Sequence, residues 1–373
     1  MLDLSDLISL DINSLSKALP YNLKELNLNS NGLTNKDIEI LAPKLPPHLS
    51  VLGLAKSNFN EIGAWNLAKY FPNKLHILDL SDTPIQGSGL VILAKGFPSS
   101  LFRIALGGIS VDDQQAKQLA DNIPPRLVSF EISNTKFNKQ GLSLTIKKLP
   151  NSIQSLTFDN TTFQIAEAVA LSSNYSDNLR GLYINATQSG SAAMIALSKN
   201  FPESVEDIWI QGMNMQDAGL TALASHPLSH LVRLVLGAGN EHFTQESFKA
   251  LNAKKRYIKD FASSASGIND LALSALGPNF FENMRELWVG NEPISGEEIV
   301  KTIKKMHPDS YLIYCPSIGI KPEHIDSILK VLPKSLQSLT ISGNEIGQIG
   351  LDKIKNYVNK QYHKTGIRLQ LYY

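Results

Sequence analysis

The sequence predicts an α/β solenoid in which short parallel strands alternate with helices, one pair to a repeat. Three observations lead there. Between Leu23 and Pro46 the chain reads L-x-x-L-x-L-x-x-N-x-L through Leu23, Leu26, Leu28, Asn31 and Leu33, then places Ile38, Leu41, Ala42 and Leu45 before a proline. The two halves have different periods. Leu26 and Leu28 alternate with Glu25, Asn27 and Asn29 as in a half-buried strand, and the second half spaces its apolar residues three and four apart as on one face of a helix. The unit then recurs, its first leucine position falling at Leu49, Leu75, Leu101, Leu127, Ile153, Leu179, Val205 and Leu231, all 26 apart, and, after one inserted residue, at Ile258, Met284, Ser310 and Leu336.

That makes thirteen 26-residue repeats over 23–361, with a cap at each end and no break that would mark a second structural domain. Stepping back from Leu23 sets Leu2, Leu7, Ile12, Leu15 and Leu19 on repeat positions, so 1–22 is expected to be a truncated, mostly helical repeat closing the first strand. Each helix is expected to end at a proline, as at Pro46, Pro72, Pro98, Pro124, Pro202 and Pro333. The stretch Gly237 to Gly267 holds the inserted residue, and Ser263 there replaces an inward leucine, which is expected to weaken one layer of the core. Leu351, Ile354 and Val358 lie on a last helix, and in the 362–373 cap Ile367, Leu369 and Leu371 alternate as a terminal strand whose edge Arg368 only partly protects.

Charge and composition narrow the function classes. Lys plus Arg number 35 against 34 Asp plus Glu, so no polyanion or anionic membrane is favoured as a partner. The single cysteine, Cys315, excludes an internal disulfide framework, and the acidic, interrupted N-terminus lacks the pattern of a secretory signal. No apolar run is long enough for a membrane-spanning helix, so a cytosolic monomer is expected.

The repeat pattern resembles the leucine-rich repeat family, and its long helical half is similar to the ribonuclease-inhibitor-like subtype. The resemblance covers residues 2 to 371 and implies a horseshoe or arc, with a concave parallel sheet and helices on the convex side. The family's asparagine ladder departs here. The Asn31 position becomes Ser57, Thr83, Ile109, Thr135, Thr161, Thr187, Met213, Gly239, Ser266, Glu292, Ile318 and Asn344, and local irregularity is expected where Ile109, Met213 and Ile318 cannot bond a turn.

A candidate site emerges from the columns of outward strand residues, one residue per repeat. The column through Asn27 carries Tyr183, Trp209, Trp288 and Tyr314 in its second half, and the column through Glu25 supplies Asp207, Arg233, Asp260 and Glu286 at the same level. Strands stack about 4.8 Å apart, so the aromatic stretch spans about 25 Å, the scale of one side of a protein interface. An aromatic centre with a charged rim is the composition of a protein-binding patch. The first half of the face, with Asn27, Asn29, Asp79, Ser81, Asp82 and Glu131, reads as a solvated polar surface. Trp65, on a helical half, reads as partly core.

Catalytic and metal chemistry find little support. His226 and His230 bring no third ligand, Cys315 sits at an inward strand position, Gly107-Gly108 and Gly237-Ala238-Gly239 lack the rest of a phosphate-binding fingerprint, and Asp112-Asp113 and Glu297-Glu298 lie on surface turns. The basic run Lys249, Lys254, Lys255, Arg256, Lys259 and the group Lys301, Lys304, Lys305 read as solvated faces, not a nucleic-acid footprint. No catalytic residue, cofactor or metal is expected, and the function expected is non-enzymatic recognition of a protein partner. The uninterrupted repeats and the Asn- and Lys-rich, cysteine-poor composition also resemble the leucine-rich repeat effectors of intracellular bacteria such as Legionella. That resemblance implies translocation into a host cell without a Sec-type signal and a host protein as partner. The rival readings are a GTPase-activating leucine-rich repeat protein and a sequestering inhibitor of an enzyme.

Overall fold

The computed structural model describes residues 1–7, 9–85, 87–138, 140–185, 187–240, 243–254, 256–366 and 369–373, with only the backbone at 364 and 365. The chain divides into two compact units, Met1–Thr187 and Gln188–Tyr373. Ile367, Arg368 and Lys255 of the expected tail and basic run lie outside the described residues.

In the first unit the main strands follow chain order: Leu2–Asp3, Glu25–Asn27, Val51–Gly53, Ile77–Leu80, Arg103–Gly107, Ser129–Ser133, Ser155–Asp159 and Gly181–Asn185, each hydrogen-bonded in parallel to the next. Register follows the repeat, with Asn27 beside Gly53, Gly53 beside Asp79 and Asp79 beside Ala105. Leu26 and Leu28 are fully buried, as are Ile38 and Leu41 of the helix Asn35–Leu41, so the core lies between sheet and helices and the other sheet face stays open. A capping box between Thr34 and Asp37 starts that helix. After the prolines a tight turn launches the following strand, the Leu49, Leu75 and Leu101 amides each donating to the carbonyl of Pro46, Pro72 or Pro98 at 3.0 Å. The N-terminal cap contains a strand, Leu2–Asp3, as well as the helix Ile12–Ala18.

The second unit repeats the scheme through Asp207–Gln211, Arg233–Leu236, Asp260–Ser264, Glu286–Gly290, Leu312–Tyr314, Ser338–Thr340 and Gln370–Tyr372. The terminal strand is parallel, with Leu371 beside Leu339. Here the extra residue falls before Asn240, and Asn240, not Gly239, takes the ladder role. Its amide donates to the carbonyls of Ile210 at 2.8 Å and Gly237 at 3.1 Å, as Asn344 does to Cys315 at 2.9 Å and Ile341 at 2.8 Å. Where the ladder residue is apolar, Ile109, Met213 and Ile318 are buried. Beside Ile109 the turn closes by backbone instead, in a small parallel pairing of Ser110–Val111 with Lys136–Phe137.

Three expectations are corrected. Ser263 does not leave a weak layer, because a buried carboxylate fills it: Glu292 accepts from Ser263 Oγ at 2.6 Å, from Ser266 N and Oγ at 2.9 and 2.8 Å, and from Ile268 N at 3.0 Å. Arg256 is not on a solvated face; it is fully buried, and its guanidinium donates to the carbonyls of Ala224 at 2.7 Å, His226 at 3.3 Å and Lys254 at 3.2 Å, and to that of Leu251. Trp65 is not core. It is 54% exposed on the outer side of the helix Glu61–Lys69, with the Lys69 ammonium 5.3 Å from its ring centre.

Candidate functional site

The parallel register brings seven of the eight candidate residues onto one open face of the second unit. Trp209 stands beside Val235, Val235 beside Ala262, Ala262 beside Trp288 and Trp288 beside Tyr314 on successive strands. Each of these residues follows a buried one, Ile208, Leu234, Phe261, Leu287 and Ile313, which anchors its strand and turns the next side chain outward. Tyr183, the eighth, lies in the first unit beside Thr157, its ring laid back along its own strand over Gly181.

The two tryptophans stand apart because the residues between them are small. Trp209 and Trp288 with Val235 and Ala262 line a hollow of about 250 Å³, whose charged margin is Arg233, Asp260 and Glu286. Trp288 is braced on its far side by Tyr314, ring centres 4.8 Å apart and planes 34° from parallel. Its indole N–H donates to Glu286 Oε2 at 3.0 Å, and that of Trp209 donates to Gln211 Oε1 at 3.2 Å, which orients both rings from within their own strands. Trp209 remains 39% exposed, so a large apolar surface faces solvent at a fixed position.

Electrostatically Arg233 lies among the carboxylates of Asp207, Asp260 and Glu286. Arg233 reaches Asp207 at 3.4 Å and Asp260 at 3.3 Å. Burial disfavours its charged form, but Asp207, Asp260 and Glu286 outweigh burial and raise its pKa. Asp260 is also held above the ordinary carboxylate value, first by burial and then by Glu286, with Arg233 only partly offsetting them. Tyr311, which the two-column reading missed, donates its hydroxyl to Glu286, and chiefly that bond pushes its pKa up to about 12. Its signal was available one column further over, since Tyr311 immediately precedes the strand beside that of Glu286.

Elsewhere the residues considered for chemistry have structural roles. Cys315 is fully buried, and burial pushes its thiol up to about 12. His230 Nδ1 lies 3.0 Å from the Glu203 carbonyl, and among the described residues no group of three His, Cys, Asp or Glu is placed to hold a metal ion. Asp112 caps the helix Asp113–Asp121, and Glu298 lies buried in the first turn of Gly296–Lys305. Among the described residues no helix is long and apolar enough to cross a membrane. In the first unit a second depression of about 250 Å³ is lined by Val51, Ile77 and Ala105 together with Asn27, Asn29, Asp79 and an Arg103–Glu131 ion pair of 2.8 Å.

A family model described as Leucine Rich repeat matches residues 22–42, 72–94 and 333–355, each spanning strand and helix positions of the repeat described above. Strand and helix therefore recur here in the leucine-rich repeat arrangement that the family model describes. Among solved structures similar to this leucine-rich repeat chain, the yeast Rad7–Elc1 complex aligns with a TM-score of 0.56 at 15% identity, over 89% of this chain and 83% of that one, which shows the shared fold. Also similar are an internalin, InlF, from Listeria monocytogenes (TM-score 0.49, 13% identity, 97% and 92% of the two chains) and the leucine-rich repeat-containing protein LegL7 from Legionella pneumophila (0.43, 16%, 70% and 90%). No curated protein matches the chain. Leucine-rich repeats present extended surfaces for binding other proteins, and in the second unit the aromatic hollow lies on the open face of the sheet.

Proposed function

We propose that the chain is a non-enzymatic recognition module that holds a protein partner on the open face of its sheet, with Trp209, Trp288 and Tyr314 as anchors. Tyr183 holds the same repeat position in the first unit, and Asp207, Arg233, Asp260 and Glu286 set the register of the partner. The observation that carries this reading is that the exposed Trp209 and the braced Trp288 line one hollow with Val235 and Ala262 between them. Aromatic rings held rigidly around a hollow bury much area at little entropic cost when a partner fills it. The resemblance of the repeats to bacterial effectors supports a role inside a host cell, with a host protein as partner.

The test compares the wild type with a Trp209→Ala, Trp288→Ala double variant as bait in host-cell lysate, with thermal melts of both. Each anchor is expected to contribute about 2 kcal/mol or more to binding. The variant should lose a specific captured protein while melting at the same temperature. Identical captures would move the site elsewhere, and a large fall in melting temperature would assign the rings to packing.

A further inference from the structure

The hollow has a chemical polarity beyond its aromatic walls. Asp207, Arg233, Asp260 and Glu286 occupy consecutive strands in register, so the Arg233 guanidinium stands between Asp207 on one side and Asp260 and Glu286 on the other. Arg233 is spent on the first two, at 3.4 and 3.3 Å. Among the described residues no ion pair reaches Glu286; its oxygens accept from the Trp288 indole and the Tyr311 hydroxyl, both neutral donors. Burial first, and then the neighbouring Glu286, hold the pKa of Asp260 above its ordinary value. Asp260 and Glu286 are paired neighbours, about 4.8 Å apart along the sheet, and both line the hollow.

We propose that the hollow takes an arginine side chain of the partner protein, its guanidinium stacked on one indole wall and donating to Asp260 and Glu286. The inference rests on the recognition reading above and names what that site selects. An aliphatic side chain would fill the space but leave the surplus carboxylates desolvated and uncompensated. An acidic one would be repelled. A planar cation answers both features, because guanidinium stacks on aromatic faces and forks to carboxylates, whereas the compact ammonium of lysine is more strongly hydrated and lacks the plane.

The experiment titrates the full chain, in a Trp65→Phe background, with acetyl-Gly-Arg-Gly-amide and its citrulline, lysine and norleucine counterparts, following tryptophan emission. The arginine peptide should give a saturable change, with at least tenfold weaker binding of citrulline and norleucine and measurably weaker binding of lysine. Glu286→Gln should weaken the arginine peptide at least fivefold while melting like the parent, and Asp260→Asn should weaken it likewise from the other side of the fork with no loss of melting temperature. Equal binding of arginine and citrulline, equal binding of lysine, no saturable change, or indifference to both substitutions would overturn the proposal. Should lysate capture depend on Trp209 and Trp288 yet ignore Glu286→Gln, the arginine assignment falls and the aromatic face stands.

Discussion

Asp260 is a carboxylate whose charge opposes folding. Burial and the adjacent Glu286 raise its pKa above the ordinary value of 3.8, and Arg233 restores only part of the loss. A raised acid pKa means that the folded chain binds this proton more readily than the unfolded chain does. The stability linked to it is therefore fully present below the unfolded pKa and is lost as pH rises through the folded pKa. At neutral pH the ionised group is a net cost. Asp260→Asn is accordingly expected to melt at or above the wild-type temperature at pH 7, with the gap closing as acid protonates the wild-type residue. A clear drop at pH 7 would mean that the Arg233 pairing outweighs burial and repulsion together. A carboxylate held at a cost to stability beside the exposed Trp209 fits the proposed role of this margin in recognition.

At the scale of elements, the link from the helix Gln245–Asn252 to the strand Asp260–Ser264 depends on Arg256. Its guanidinium reaches the carbonyls of Ala224 and His226 at the end of the helix Asp217–Ala224, and those of Leu251 and Lys254 at the end of Gln245–Asn252. Carbonyls exposed at helix C-termini carry partial negative charge, so one cation ties two adjacent ends together. Burial lowers its pKa only to about 10, and it stays charged at neutral pH. Arg256→Met removes hydrogen bonds to a charged donor and strands buried acceptors, for an expected loss of about 3 kcal/mol in urea unfolding. A change below about 0.5 kcal/mol, the level of an ordinary surface substitution, would contradict this role. The sequence could not show it, because backbone carbonyl acceptors leave no trace in residue type and a run of Lys and Arg does not say which member turns inward. Ser263 was misread for a related reason: alone it breaks the repeat pattern, and only the strand register brings Glu292 to it.

Across the whole molecule, the repeat was legible because thirteen copies average out local departures such as Ser310 for leucine, where the hydroxyl simply donates to the Met284 carbonyl at 2.7 Å. The aromatic and charged columns of the site were legible for the same reason, since a constant spacing of 26 sets which residues become neighbours. What surrounds them, the Tyr311 hydroxyl and the size of the hollow, depends on side-chain directions that spacing does not encode. In such a stack each repeat rests chiefly on its neighbours, so damage should decay along the array. Leu78 is fully buried in the first unit, and truncation to alanine there should cost about 2–5 kcal/mol. With Trp65→Phe in place, tryptophan emission comes only from Trp209 and Trp288 in the second unit. Leu78→Ala should then move or broaden the circular-dichroism unfolding curve in urea while the emission midpoint holds. Leu287→Ala, which empties a fully buried position beside Trp288, should shift the emission midpoint itself. If Leu78→Ala displaced both probes equally, the chain would be unfolding as one cooperative body, and nearest-neighbour stability would be the wrong description of it.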